Sequence, residues 1–242
     1  MPRFFIREDN IFNDHALIIG DDARHIGRSL RMKIGEEITL CCNNTDYICK
    51  IQSITDTSVR AEIISVNRTQ TEPDISLVLF QAVPKSDKLD FIVQKAVELG
   101  AVKVVPVITR RCVSRPDKKV FEKKRMRLKK ISEEAAKQSG RGIIPEIGEI
   151  IDINEYYEQI KDFELNLFCY EGGGERLCDI ASLKSAKNMS LFVGCEGGFD
   201  EEEAEAVINK GAIAVTLGKR ILRCETAPVC AISIIMSITG NI

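Results

Sequence analysis

The 242-residue sequence has only two histidines, no C-x-x-C pair, no long apolar run and a net charge of just −2. Each scarcity excludes something. His15 and His25, with nine cysteines of which Cys41 and Cys42 are adjacent, offer no standard zinc spacing, so no metal is expected. The cysteines read instead as buried free thiols in a reducing, cytoplasmic setting. No stretch approaches the roughly 20 apolar residues of a membrane span, and no membrane partner is expected. The opening apolar residues are interrupted at once by Arg7, Glu8 and Asp9, unlike a signal peptide. No G-x-G-x-x-G follows the first strand of the second half, and no G-x-x-x-x-G-K-[ST] occurs. Dinucleotide and P-loop readings therefore lack their signatures.

What is present is the mix of a globular protein, 44% hydrophobic and 29% charged residues, long enough to bury a real core. The small net charge hides a strong polarity. Residues 110–130 carry eleven Lys/Arg against Asp117 and Glu122, whereas residues 146–205 carry sixteen Asp/Glu against four Lys/Arg. A basic helix face is most simply a solvated one, but it can also meet phosphate.

Two textures divide the chain. Residues 1–72 read as a small β-barrel-like domain, with short β-prone runs at 38–40, 47–51 and 59–64 and polar breaks such as Asn43-Asn44. One helical segment interrupts them, capped by Asp21 or Asp22, with Ile26 and Leu30 sharing a face. After a linker at 69–74, residues 73–242 alternate strand and helix. Strands are expected at 75–83, 102–108, 165–170, 191–194 and 212–217. Helices are expected from Ser86 as cap to Gly100, over 118–138, from Asp200 with Glu203 at a capping-box position to Gly211, and from Thr226 onward. Such alternation predicts an α/β fold built on a parallel sheet covered by helices.

Three loops follow strand ends in this second part, where open α/β sheets place ligands. They are Y-E-G-G-G (170–174), G-C-E-G-G-F (194–199) and L-G-K-R-I-L-R-C-E-T-A-P (217–228). A glycine turn alone is a weak signal, since most are plain turns. The ordered pair of the last two closely resembles the signature of the SPOUT-superfamily methyltransferases that modify uridine N3 of 16S ribosomal RNA (the RsmE family). The resemblance extends through Ser86-Asp87-Lys88, residues 96–100, residues 134–141 and residues 25–32, and so spans nearly the whole chain. Cys195 departs from it, standing where the family usually has proline and so losing a fixed φ.

The resemblance implies an N-terminal PUA-like barrel, a C-terminal domain with a deep trefoil knot, S-adenosylmethionine as cofactor, 16S rRNA of the small ribosomal subunit as partner, and a homodimer. Carried onto this sequence, it implies a cofactor site at Tyr170, Glu171, Gly194, Glu196, Gly197, Gly198, Leu217, Gly218, Ile221, Leu222, Arg223 and Thr226. Arg223 is the candidate for stabilising charge on the uracil, with a clamp for Glu225 or Glu196 as its plainer role. Glu225 is a candidate proton acceptor, or simply a carboxylate at a helix N-terminus. RNA contact is expected from Arg24, His25, Arg28, Arg31 and Lys33, with Arg24, Arg28 and Arg31 on one helical face, and from Arg110, Arg111, Arg125, Gln138 and Arg141. The competing readings are a non-catalytic RNA-binding or ribosome-assembly factor and a methyltransferase for another RNA position.

Overall fold

A computed structural model describes residues 1–242. The chain forms two compact units, Met1–Glu72 with Ala136–Ile143, and Pro73–Ala135 with Ile144–Ile242. The short second segment of the first unit is not foreshadowed by any composition shift.

The first unit is a five-stranded sheet of β1 (Arg3–Phe5), β2 (His15–Ile19), β3 (Glu37–Cys42), β4 (Thr45–Ile54) and β5 (Ser58–Arg68), ordered β1-β3-β4-β5-β2. All pairings are antiparallel except β1 with β3. Asn43 and Asn44 are more than a polar break. Both have positive φ (47° and 60°), the backbone of a two-residue hairpin turn, which asparagine tolerates. Two register shifts in the β4–β5 pair bend the sheet around a core that includes Phe4, Ile18, Ile26, Ile38, Leu40 and Ile51.

The helical segment departs from expectation. α1 (Gly20–Arg24) starts after Ile19 with no side-chain cap, so Asp21 and Asp22 sit in its first turn rather than capping it. A wider π turn follows at His25–Ser29. That turn rotates Leu30 outward to 42% exposure while Ile26 stays fully buried. Arg31 adopts a left-handed φ of 53°, so Arg24, Arg28 and Arg31 do not form one helical stripe.

The second unit follows the alternating reading. Its elements are β6 (Ser76–Ala82), α2 (Lys88–Glu98), β7 (Lys103–Ile108), α3 (Lys118–Ser139), β8 (Glu146–Ile147), β9 (Ile151–Asp152), α4 (Ile153–Gln159), β10 (Leu165–Cys169), β11 (Glu175–Arg176), β12 (Asn188–Val193), α5 (Glu201–Asn209), β13 (Ile213–Thr216) and α6 (Thr226–Ile238). The last turn of α3 is counted with the first unit. The sheet order is β11-β13-β10-β12-β6-β7-β8, with β9 also on β7, and every pairing is parallel. β6 is buried along nearly its whole length, as its continuous apolar run requires of a central parallel strand.

Two expected caps are not made. Ser86 takes a positive φ (57°) and Asp87 precedes α2, without a side-chain cap. Glu203 is buried and accepts the Arg110 amide at 2.8 Å instead of closing a box with Asp200. A backbone donor from a neighbouring segment outcompetes the local one. The capping box that does form, Asp152 with Glu155, opens α4.

Candidate active site

β13, β10 and β12 are neighbours in the sheet, so the loops leaving their carboxyl ends must converge. They frame a cavity of about 700 Å³, with Lys88 and Arg111 on its wall. Of the expected cofactor residues, all line it except Thr226, which is exposed at the start of α6. Ala227 takes its place on the wall.

The first two loops are tied together by charge. The Glu171 carboxylate accepts the Phe199 amide at 2.9 Å and lies 3.9 Å from the Arg111 guanidinium, which also donates to the Gly197 carbonyl at 3.1 Å. Gly198 has φ +66°, and a Cβ there would fall on the Glu171 carboxylate, so glycine is required both by conformation and by space. At the root of the second loop, buried Gln81 donates to the carbonyls of Val193 (3.4 Å) and Gly194 (3.1 Å) from the neighbouring strand.

Cys195 keeps this loop closed without proline's fixed φ. Its carbonyl accepts the Gly198 amide at 3.0 Å, and its thiol is buried beside the Cys112 thiol. That contact and burial push the Cys195 thiol up, so it stays neutral.

The third loop meets the second through Lys88. Its ammonium lies 3.0 Å from Glu196 Oε1 and 3.1 Å from Glu225 Oε2. Glu196 also accepts the Lys85 amide at 3.2 Å, and Glu225 accepts the Cys224 thiol at 3.2 Å. Burial opposes ionisation of both carboxyls, but hydrogen bonds from their own amides, from Lys85 or Cys224, and from Lys88 outweigh it and hold both below the usual range. The two carboxylates raise Lys88 in turn, Glu196 contributing most. Glu225 is therefore an ionised partner of Lys88 and a weak proton acceptor, and its side chain does not cap α6.

Arg223 is exposed on the cavity wall, and its carbonyl accepts the amides of Thr226 (2.8 Å) and Ala227 (2.9 Å) to make the turn into α6. Glu196 and Glu225 pair with Lys88, and neither forms an ion pair with Arg223. Ile221, 87% exposed, offers an apolar surface in the same loop.

The expected RNA residues sort differently. Arg24, His25, Arg28, Arg31 and Lys33 are all exposed on the first unit, although Arg24 pairs with Asp21 and Arg28 with Asp56. Gln138 is exposed in the last turn of α3. Arg110 is held by Asp200 (2.8 Å) and Glu202 (2.5 Å), which places the basic segment against the acidic one. Arg111 joins the cavity wall. Arg125 is only 16% exposed and donates to the Ile147 carbonyl at 3.0 Å. Arg141 is a plain correction. At 2% exposure it is buried against Glu72, because a guanidinium fork and a carboxylate satisfy each other where solvent is excluded. Lys88 and Arg111 were missed as cavity residues. The signal for the first was its place in the Ser86-Asp87-Lys88 stretch, and for the second its position just past the end of β7.

Residues 71–236 match a family model described as an RNA methyltransferase domain, and residues 18–64 one described as an RNA methyltransferase PUA domain. The parallel-sheet unit with its glycine-loop cavity, on one chain with a small β unit, thus defines an RNA methyltransferase carrying a PUA domain. The chain is 32% identical to ribosomal RNA small subunit methyltransferase E of Bacillus subtilis, covering 97% of this chain and 96% of that one. It is 31% identical to the enzyme of the same name from Aquifex aeolicus, over 87% and 89%. Its structure matches that of the Neisseria gonorrhoeae enzyme bound to S-adenosyl methionine with a TM-score of 0.88 and 31% identity, covering 98% and 97%. The chain belongs to the ribosomal RNA small subunit methyltransferase E family.

Proposed function

We propose that this chain transfers a methyl group from S-adenosylmethionine to N3 of one uridine in 16S ribosomal RNA. The observation that carries the reading is the single cavity onto which all three glycine-bearing loops converge. Its volume, about 700 Å³, suits a cofactor of this size. Glycines 194, 197, 198 and 218 on its lining leave loop backbone open to close approach by a ligand. The cofactor, when bound, supplies an electrophilic methyl group on a sulfonium centre.

The chain's own task is then to hold the uracil and to manage its proton. Uracil N3 carries a proton on the Watson–Crick edge, so the base must be unpaired or flipped out to enter the site. As that proton leaves, negative charge grows on the ring, and in this reading Arg223, which lines the cavity, stabilises it. With both neighbouring carboxylates committed to Lys88, the proton passes to water in this scheme. Incubating the purified chain and labelled cofactor with 16S rRNA or small subunits, then mapping nucleosides by mass, tests the reading. One N3-methyluridine is expected; label on a ribose, on another base or nowhere overturns it.

RNA contact is assigned to the exposed cluster Arg24, His25, Arg28, Arg31 and Lys33, to Gln138, and to Lys119, Lys123 and Lys130 on the exposed face of α3. Arg28→Glu is expected to weaken RNA binding and to reduce the slope of log affinity against log salt by about 1 or more, because fewer counterions are released. Cofactor affinity stays unchanged in this variant. An unaltered slope would return the cluster to a solvated surface. The proposed homodimer is supported by half-buried Ile234 and Ile238, one turn apart on one face of α6. The proposed knot is supported by the path of the chain from β12 to β13 across β10 before the last loop and α6. A cytosolic location goes with a ribosomal substrate, and no helix is long and apolar enough to cross a membrane.

A further inference from the structure

Three charged side chains from three separate segments meet at one nitrogen. Lys88 is in the first turn of α2, Glu196 in the loop after β12, and Glu225 immediately before α6. The two carboxylate oxygens share the Lys88 ammonium and so lie no more than about 6 Å apart, close enough for strong repulsion without it. The Lys85 amide fixes the Glu196 carboxylate on α2's side, and the Cys224 thiol fixes Glu225 on the other. Lys88 also lines the cavity, whereas Glu225, within the third loop, does not.

We propose that Lys88 is a positioning residue which sets the spacing of the second and third cofactor loops by charge balance, neutralising one of the two carboxylates that it holds together. The inference rests on the reading of the cavity as the cofactor site, and it concerns how that cavity keeps its width. A simple packing role for the lysine stem predicts no dependence on protonation. Charge balance does. In the wild-type chain the ammonium holds both carboxyls ionised, so no change of loop spacing is expected between pH 5.5 and 8. Without the ammonium, burial and the like-charged neighbour push one carboxyl up. At pH 8 both are then charged and the loops are driven apart; at pH 5.5 the pair shares a proton and closes again.

Of the other titratable groups around the site, the buried Cys112 thiol beside Cys195 is lowered to about 6 and so changes charge within this window in every variant alike, which is why each variant is read against wild type at the same pH. Cys224 is pushed up to about 12 by burial and by its hydrogen bond to Glu225, so it remains a neutral thiol. The guanidinium groups of Arg111 and Arg223 keep their charge throughout. Glu171 is engaged with the Phe199 amide and Arg111.

The test measures cofactor affinity by calorimetry and melting temperature without ligand, both at pH 5.5 and pH 8. The proteins are the wild type, Lys88→Met, Lys88→Arg and the double variant Lys88→Met/Glu225→Gln. Lys88→Met is expected to lose roughly ten- to hundredfold in affinity at pH 8, the scale of losing charge-assisted hydrogen bonds, and to regain most of it at pH 5.5. Its melting temperature should fall, relative to wild type, more at pH 8 than at pH 5.5. The double variant is expected to restore affinity at both pH values, because one negative charge is gone and the amide can donate to Glu196. Lys88→Arg keeps the charge and should stay near wild type. A loss in Lys88→Met that is equal at both pH values and unrepaired by Glu225→Gln overturns the proposal, as does no loss at all. If the wild-type chain does not bind the cofactor, the functional reading falls, and the ligand-free melting temperatures still decide the charge balance.

Discussion

Arg223→Ala is expected to lower single-turnover methyl transfer by roughly 10²–10³-fold, the scale of losing one preorganised charge-stabilising donor. The reason lies in where its partners are. The carboxylates of Glu196 and Glu225 pair with Lys88, and exposed Arg223 lines the cavity without an ion pair to either. An interaction that strengthens only as charge grows on the uracil appears in the chemical step and not in ground-state binding. Cofactor affinity and melting temperature should therefore change little. Arg223→Lys should recover little of the rate, since a point charge on a flexible stem does not reproduce the planar fork. Stopped single-turnover assays, calorimetry and melting on one preparation separate the outcomes. A folded Arg223→Ala variant with a near-normal rate removes this residue from the chemistry.

The second large effect is on stability and concerns Arg141. Its Nε and Nη2 donate to the two Glu72 carboxylate oxygens at 2.8 and 2.7 Å, and Glu72 also accepts the amides of Gly142 (2.7 Å) and Ile143 (3.3 Å). The Arg141 carbonyl in turn accepts Arg3 Nε at 3.0 Å. These contacts hold the segment Ala136–Ile143 within the first unit. Arg141→Met removes one partner of a buried pair and strands the Glu72 charge, which costs about 3–5 kcal/mol. The expected result is a lower denaturant midpoint for the first unit, with the salt slope of RNA binding unchanged among molecules that remain folded. Were Arg141 instead a phosphate contact, as the family resemblance implies, the slope would fall by about 1 while stability stayed constant.

Local patterning carried most of the secondary structure. The continuous apolar run of β6 and the helical spacing of Leu89, Ile92, Val93, Ala96 and Val97 in α2 depend on neighbours a few residues away, and so they are readable from sequence. Where local rules failed, a distant group or a change of helix type had intervened. Glu203 left its capping box because the Arg110 amide was available, and Leu30 turned outward because a π turn replaced the regular helix. β1 and β2 were missed because short, mixed strands become strands only once a partner pairs with them.

By itself the sequence determined the alternating α/β class, the three glycine loops and, through two motifs in order, the family. These are properties of residue type and spacing along the chain. Only the tertiary structure decided the fate of each charge. It buried Arg141 on Glu72, tied Arg110 to Asp200 and Glu202, moved Arg111 onto the cavity wall and placed Lys88 between Glu196 and Glu225. The physical reason is range. Helix and strand patterns are set by contacts within a few residues, whereas a charge finds its partner wherever folding brings an opposite charge within about 4 Å, and for Arg141, Arg110 and Lys88 those partners are 69 to 137 residues away.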